Sequence, residues 1–268
     1  MTHPTQFSGC WAVVLGGSSG FGLATVKKLS RHGMNVAVLY RETSIGHKAA
    51  LHTFKELEAE NSNVIRAYNL NALDAADRER FINDFKEHNN GGKVKLLLHS
   101  IARGNVKPLI CDSSEAGGEL SMEDIQLTTY AMSNSLLDWV RLLLNHQLFD
   151  ADARVIGLTS EGAHKYWNSY AAVSLAKSSL ESLATYLAVE TARFGIKTNV
   201  IQAGITATPS LLKIPDSDQL LNHATARNPL GRMTTPEDVA NVIYLLCTPE
   251  AAWINGSIIY ADGGEHCR

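Results

Sequence analysis

The sequence predicts an α/β protein whose core is one doubly wound, parallel, seven-stranded sheet with helices on both faces, and three observations carry that expectation. Short β-rich apolar runs alternate along the chain with segments of helical period, the pattern of a parallel sheet covered on both sides. Seven such runs are enough for one sheet. No composition break marks a linker, so residues 1–268 are expected to form a single domain.

The strands are expected near 11–15 (WAVVL), 35–40 (NVAVLY), 63–68 (NVIRAY), 94–98 (VKLLL), 154–159 (RVIGLT), 197–202 (KTNVIQ) and 257–261 (SIIYA). The helices between them announce their ends. Gly33 follows ATVKKLSRH, where a residue free to take positive φ closes a helix whose last turn carries cations. Ser121-Met-Glu-Asp124 predicts a helix start, with the helix running towards Trp139. Thr235-Pro-Glu-Asp238 combines a hydroxyl cap, a proline at the first helical position and a carboxylate able to fold back on the cap.

Composition narrows the function classes. A hydrophobic content of 45%, a charged content of 19% and a formal net charge of −3 suit a chain with a sizeable core and offer no electrostatic reason to bind nucleic acid. The opening MTHPTQFSGCWAVVLGG lacks the layout of a secretory signal, and no apolar run is long enough for a membrane helix, so a soluble cytoplasmic protein is expected. Cys10, Cys111, Cys247 and Cys267 are widely spaced without a CxxC pair, which argues against disulfides and thiolate metal sites. The ten histidines show no HxxxH spacing, and no metal is expected.

The first strand runs into LGGSSGFGLATVKKL, so Gly16, Ser18, Ser19, Gly20, Phe21 and Gly22 occupy the turn before the first helix. Backbone N–H groups close on a pyrophosphate only where no Cβ intervenes, and a helix N-terminus adds a positive dipole end. A dinucleotide site is the reading this position favours, against glycines that merely let a helix pack on a sheet. Arg41 stands at the end of the second strand, where NAD-binding chains often carry a carboxylate for the ribose. A guidinium there suits a 2′-phosphate and hence NADPH rather than NADH, although Glu42 could instead occupy the arginine.

The spacing G-x-x-x-G-x-G resembles the short-chain dehydrogenase/reductase family, and further motifs narrow the resemblance to its enoyl-acyl-carrier-protein reductase branch. These are HSIA at 99–102, TSEGAHKYWNSYAAVSLAKSSLESLATYLAVE, QAGITATPS, NPLGRM and the final ADGG. The resemblance implies a Rossmann-like fold, a nicotinamide cofactor, an enoyl thioester substrate on acyl carrier protein or coenzyme A, a place in fatty-acid or related acyl biosynthesis, and a homotetramer. It places the adenine near Asn69 and Leu70, where the family usually has an acidic residue, and the cofactor along Ser100, Ile101 and Ala102. Tyr170 then holds the thioester carbonyl and Lys177 the nicotinamide ribose.

Tyr170 and Lys177 stand seven positions apart, where the commoner arrangement of the family is four. On an unbroken helix seven steps turn about 700°, which keeps both on one face, about 10 Å apart along the axis instead of about 6 Å. That withdrawal suits a longer substrate in which hydride attacks a β-carbon and charge develops on a thioester oxygen. A lysine near a phenol is also expected to lower the tyrosine pKa. Read in isolation, the pair could equally be a surface lysine and a packed ring.

Ser160 lies ten positions before Tyr170, where several enoyl reductases carry an aromatic residue, and seventeen before Lys177, where carbonyl-reducing members keep a hydroxyl. It is therefore open to three readings: a donor to the thioester oxygen, a sign of a carbonyl reductase or alcohol dehydrogenase such as a 3-oxoacyl thioester reductase, or a cap on a strand end. Tyr166 is expected to line the pocket. Asn134, near the helix-bending asparagine of many short-chain enzymes, reads as a buried polar spacer.

After the sixth strand, the turn at Ala203–Thr206, including Gly204 and Thr206, is placed to hold the carboxamide, with Thr208 near a phosphate. The segment around 206–228 mixes Pro209, Pro215 and polar residues with Leu211, Leu212 and Ile214, and reads as a lid over an acyl chain or as helices docking on the body. A cofactor-sensing regulator without turnover is the alternative from another class.

Overall fold

The computed structural model describes residues 6–111, 118–209, 211–214, 221 and 224–268. Seven parallel strands form one sheet in the order β3-β2-β1-β4-β5-β6-β7. They are β1 (Trp11–Leu15), β2 (Asn35–Tyr40), β3 (Ile65–Asn69), β4 (Val94–His99), β5 (Phe149–Ser160), β6 (Ile196–Ala203) and β7 (Ile258–Ala261). The helices are α1 (Gly20–Arg31), α2 (Ser44–Asn61), α3 (Ala75–His88), α4 (Met122–Thr129), α5 (Ser135–Asn145), α6 (Ala171–Glu190) and α7 (Pro236–Cys247). No helix among the described residues is long and apolar enough to cross a membrane.

The central strands β1, β2 and β4 are buried along almost their whole length because both faces are covered. Along β1, Ala12 and Val14 enter one core with Val38, Leu98, Ile156 and Ile201 beneath α1, α2 and α7. Trp11, Val13 and Leu15 enter the other, with Phe81, Phe85, Trp139 and Leu180 of α3, α5 and α6. Each such side chain contributes about 1.5–3 kcal/mol by leaving water. The chain leaves β1 towards one edge of the sheet and returns on its other side at β4, so a crevice opens at the carboxyl ends of β1 and β4.

The anticipated caps form. Ser121 and Thr235 each make a reciprocal capping box, with Asp124 and Asp238. Gly33 follows the end of α1 at φ +81°, after Lys28 and Arg31 in its last turn. The helix begun at Ser121 continues through a π-turn at Tyr130–Asn134 into α5. The extra residue of that turn swings Asn134 out to solvent, and Ser133 and Ser135 take the buried polar positions. The reading of Asn134 as a buried spacer is thereby corrected.

Two strands differ from expectation. β3 begins at Ile65 because Asn35 and Glu58 side chains take the N–H groups of Val64 and Ile65. β5 begins at Phe149, with an irregularity where its partner residues in β4 step from Val94 to Leu96. The step carries Asp152, whose carboxylate accepts from Lys95 (2.7 Å), Arg154 (2.6 and 3.1 Å) and Lys197 (2.6 Å). Arg154 is buried and donates onward to the Leu246 and Thr248 carbonyls, tying β5 to the end of α7.

Burial works to raise the Asp152 pKa, but the hydrogen bonds from Arg154, Lys197 and Lys95 overcome it and hold the carboxyl well below its usual range. A depressed carboxyl stabilises the fold above its unfolded pKa, and that contribution is lost as pH falls towards the folded value. Asp152→Ala is expected to cost about 2 kcal/mol in urea unfolding at pH 7, the penalty of a broken buried pair discounted for a carboxylate that is 35% exposed. The gap between variant and wild type should narrow steadily below about pH 4.

Candidate active site

A cavity of about 530 Å³ opens at the crevice, between the ends of β1, β4, β5 and β6 and the segment after β6. Of the residues singled out in the sequence, Phe21, Ser100, Ile101 and Ala102 line one side of it. Ser160, Tyr170 and Lys177 line another, and Gly204, Thr206, Thr208 and Leu211 a third. Val106, Met132, Val173 and Ile214 make much of the remaining wall apolar. A second cavity of about 340 Å³ touches Tyr166, Trp167 and Tyr170. Tyr166 is exposed and belongs to that outer cavity.

The glycine turn is built for close approach. Gly16 and Gly22 join strand to helix, since a Cβ at Gly22 would lie 2.2 Å from the Gly16 carbonyl oxygen. Gly20 has φ +52°, and its Cβ position faces only the Thr208 side chain at 3.5 Å and beyond. Side chains cap α2, α3, α4 and α7, whereas Ser19 at the start of α1 makes no side-chain cap and no acidic residue follows in the first turn. An uncapped helix end over open space beside a glycine with positive φ fits a pyrophosphate.

At the end of β2, Arg41 is exposed and has no ion pair or hydrogen bond among the described residues. Glu42 does not occupy it, because its carboxylate accepts from the Ser18 hydroxyl at 2.9 Å. Asn69 spends both ends of its amide on the Glu42 backbone, at 2.9 and 3.1 Å, and so closes β2 to β3. Leu70 packs against the core.

The geometry around the tyrosine corrects one premise. Tyr170 is the residue before α6, with φ −102° and ψ 3°, and it follows Ser169 at φ +58°. The helix thus runs unbroken from Ala171 to Lys177 with Tyr170 as its cap, the Tyr170 carbonyl accepting from the Ser174 N–H at 2.9 Å, and helical periodicity alone does not place the phenol. Three local features do so instead. Ala171 begins the helix; Gly162 lies beneath the ring, where a Cβ would meet Cε1 at 2.4 Å; and the hydroxyl donates to Ser160 Oγ at 3.3 Å. Ser160 also accepts from the Gly162 N–H at 3.2 Å, and its own proton has no acceptor among the described residues. The serine is both a cap on the strand end and a free donor at the cavity wall.

Lys177 is buried and donates to the Leu158 carbonyl at 2.7 Å. Burial lowers its pKa to about 8, against a smaller upward pull from Glu181. The Tyr170 phenol is pushed up by burial, with its bond to Ser160 working the other way. The expectation that Lys177 draws the phenol down is therefore corrected: the ammonium is turned towards the end of β5. His99, beneath the cavity, is held down to about 3 by burial and then by Lys177, and its Nε2 meets Ser135 Oγ at 2.8 Å.

Sequence reasoning did not single out Gly162, Asp262, Glu265 or His266, yet all approach Tyr170 or line the main cavity. Glu265 is buried and accepts from the Ile205 N–H at 3.2 Å, which fixes the turn after β6. Only an acidic residue next to ADGG hinted at this. Of the segment taken as a lid, Leu211 and Ile214 face the cavity and Leu212 is exposed. Pro215 lies outside the described residues. Among those residues, no group of three or more His, Cys, Asp and Glu is placed to hold a metal ion.

Comparison with known proteins bears on the same site. The family model described as enoyl-(acyl carrier protein) reductase matches residues 16–266. An enoyl-[acyl-carrier-protein] reductase [NADH] of Aquifex aeolicus is 29% identical over 180 residues, covering 66% of this chain but only 64% of that protein. A solved structure under that description from the same organism overlays with a TM-score of 0.82 at 25% identity, over 98% of both chains. A tropinone reductase homolog of Arabidopsis thaliana is 25% identical over 97% of this chain and 93% of its own length. A probable 2,4-dienoyl-CoA reductase of Bacillus subtilis is 28% identical over 94% and 95%.

Two variants test this geometry. Gly162→Ala should displace the Tyr170 ring and lower kcat at least about tenfold, with the cofactor KM unchanged, because a misplacement of about 1 Å at a reacting group is costly. Lys177→Met should stabilise the cofactor-free protein at pH 7 by about 1–2 kcal/mol in urea unfolding. That is the relief of about 3 kcal/mol of charge burial less the orphaned Leu158 carbonyl. The depressed lysine penalises the fold below about pH 8 and less so as pH rises to about 10, so the advantage of the variant should shrink over that window.

Proposed function

The chain belongs to the short-chain dehydrogenase/reductase family of oxidoreductases, in its enoyl-acyl-carrier-protein reductase branch, and on that basis we propose that it reduces the carbon–carbon double bond of a trans-2-enoyl thioester with NADPH. The observation that carries the reading is the meeting of the Tyr170 hydroxyl with Ser160 on the wall of a largely apolar cavity, with Lys177 buried in the same wall.

A nicotinamide held by the glycine turn and Lys177 would supply hydride to the β-carbon. Negative charge then develops on the thioester oxygen, and the Ser160 proton is a donor for it. Tyr170 here donates its single proton to Ser160 Oγ, so it either supports that serine through this bond or turns its hydroxyl to the oxygen when the substrate binds. Lys177 lies too deep to reach the substrate through its own bond to Leu158, and serves by fixing the ribose and keeping positive charge below the oxygen. Met132, Val173, Leu211 and Ile214 keep the acyl chain out of water. Of the segment 206–228, Leu211 and Ile214 act as the lid of this one-domain enzyme; residues 210, 215–220, 222 and 223 lie outside the described residues.

Arg41, exposed and without a partner among the described residues, supports a 2′-phosphate and hence NADPH, while the Aquifex relative is named for NADH. Ser160 supports a second reading, reduction of a ketone, because its free hydroxyl polarises a carbonyl equally well and a tropinone reductase homolog is among the relatives. The enoyl reading makes it a cytoplasmic enzyme of acyl biosynthesis, with acyl carrier protein or coenzyme A as carrier and a homotetramer as its assembly.

Purified protein with NADPH should consume the cofactor with crotonyl thioester and much more slowly with acetoacetyl thioester; turnover of the ketone alone would overturn the reading. Tyr170→Phe should lower kcat about 10²-fold or more while NADPH still binds. Arg41→Ala should raise the NADPH KM about tenfold to a hundredfold and leave that for NADH unchanged, as expected for one lost charge-assisted contact.

A further inference from the structure

The stretch after β7 brings together three side chains that the proposed reduction does not use. Asp262 is 3% exposed, and its Oδ1 accepts from the Gly264 N–H at 3.0 Å. Its Oδ2 accepts from the His266 N–H at 3.0 Å and lies 2.7 Å from His266 Nδ1. A carboxylate only accepts, so Nδ1 carries a proton, and in the neutral imidazole Nε2 presents its lone pair. The Cys267 Sγ stands 3.4 Å from that nitrogen, within reach to donate its proton. Tyr260 stacks on the imidazole, with centroids 3.9 Å apart and planes 15° from parallel, which holds the ring in the orientation both bonds require.

A nucleophile, a base and a carboxylate orienting the base are thus in sequence, the arrangement that activates a thiol. Cys247 and Cys10 show no such arrangement. Cys247 is buried, and its thiol is pushed up to about 12, chiefly by desolvation. Cys10 is raised by burial and then by Asp150. Cys267 is exposed, while its partners Asp262 and His266 line the main cavity. The charged groups around it are mostly committed. Arg227 pairs with Glu161 and donates to the Glu265 and Arg268 carbonyls, and Lys165 bridges Glu161 and the Arg268 carbonyl.

We propose that Cys267, with His266 as its base and Asp262 orienting the base, is a modification site that exchanges with low-molecular-weight disulfides beside the main cavity. His266 Nε2 takes the thiol proton as Sγ attacks one sulfur of the disulfide. The disulfide's own S–S bond breaks, a new one forms to Cys267, and the departing thiolate recovers the proton from His266. Cys267 is oxidised to a mixed disulfide, and half of the small disulfide is reduced to thiol. The site is independent of the substrate reduced in the cavity.

The test follows mass gain and thiol release with oxidised glutathione and with 5,5′-dithiobis(2-nitrobenzoate) at pH 7, locating the modified residue by peptide mapping. The reference is the free peptide Gly-Glu-His-Cys-Arg, which keeps the neighbouring histidine but lacks Asp262 and Tyr260. Cys267 in the folded protein should react first among the cysteines and at least about tenfold faster than the peptide. His266→Gln should remove most of that advantage, and Cys267→Ser should abolish the fast phase. A folded protein no faster than the peptide, or a fast phase mapped to another cysteine, overturns the proposal. The wild-type comparison decides even where His266→Gln does not fold.

Discussion

The hydrogen bond from the Lys177 ammonium to the Leu158 carbonyl pins α6 to the end of β5, and the chemistry of the cavity hangs on that attachment. Burying an ammonium is costly, and the strand-end carbonyl of Leu158 offsets only part of that cost, as the lowered Lys177 pKa shows. Once α6 is held at this point, the chain must enter it through Tyr170, over Gly162 and against Ser160. Phenol, serine and lysine therefore share one wall because two elements are locked together, and none of the three is positioned by its own helix or strand alone.

The opposite wall obeys a different constraint. The reversal of strand order between β1 and β4 leaves a gap that neither flanking helix fills, and the uncapped start of α1 points its N–H groups towards it. Glu42, Ser18 and Asn69 then form a connected edge at the ends of β2 and β3, in which the glutamate is engaged by serine, and the neighbouring Arg41 has no partner among the described residues. Electrostatics at that edge, rather than the shape of the turn, bears on the choice between the two nicotinamide cofactors.

Much of the fold was legible in the sequence because its signals are local. Apolar runs mark strands buried on both faces, and Ser121 and Thr235 cap helices through residues three positions away. The same locality explains the misses. Asn134 was read from its neighbours, but a π-turn rotates it outward. β5 begins earlier than its apolar run because Asp152 is satisfied by three cations brought from β4, β5 and β6. Gly162 lies inside a quoted motif without a role of its own, and Glu265 and His266 carried none; their meaning depends on what packs over them.

The sequence by itself determined the α/β alternation, the glycine turn and the residues Ser160, Tyr170 and Lys177, since each is encoded by short-range pattern or by a motif with a fixed place between strand and helix. Only the tertiary structure decided how they meet. Tyr170 stands outside α6, so its reach cannot be computed from helical steps; Lys177 is turned to a carbonyl nineteen residues away in sequence. The Asp262–His266–Cys267 relay likewise exists only because the backbone after β7 folds its carboxylate under the imidazole, a geometry of a few ångströms that no spacing of residues specifies.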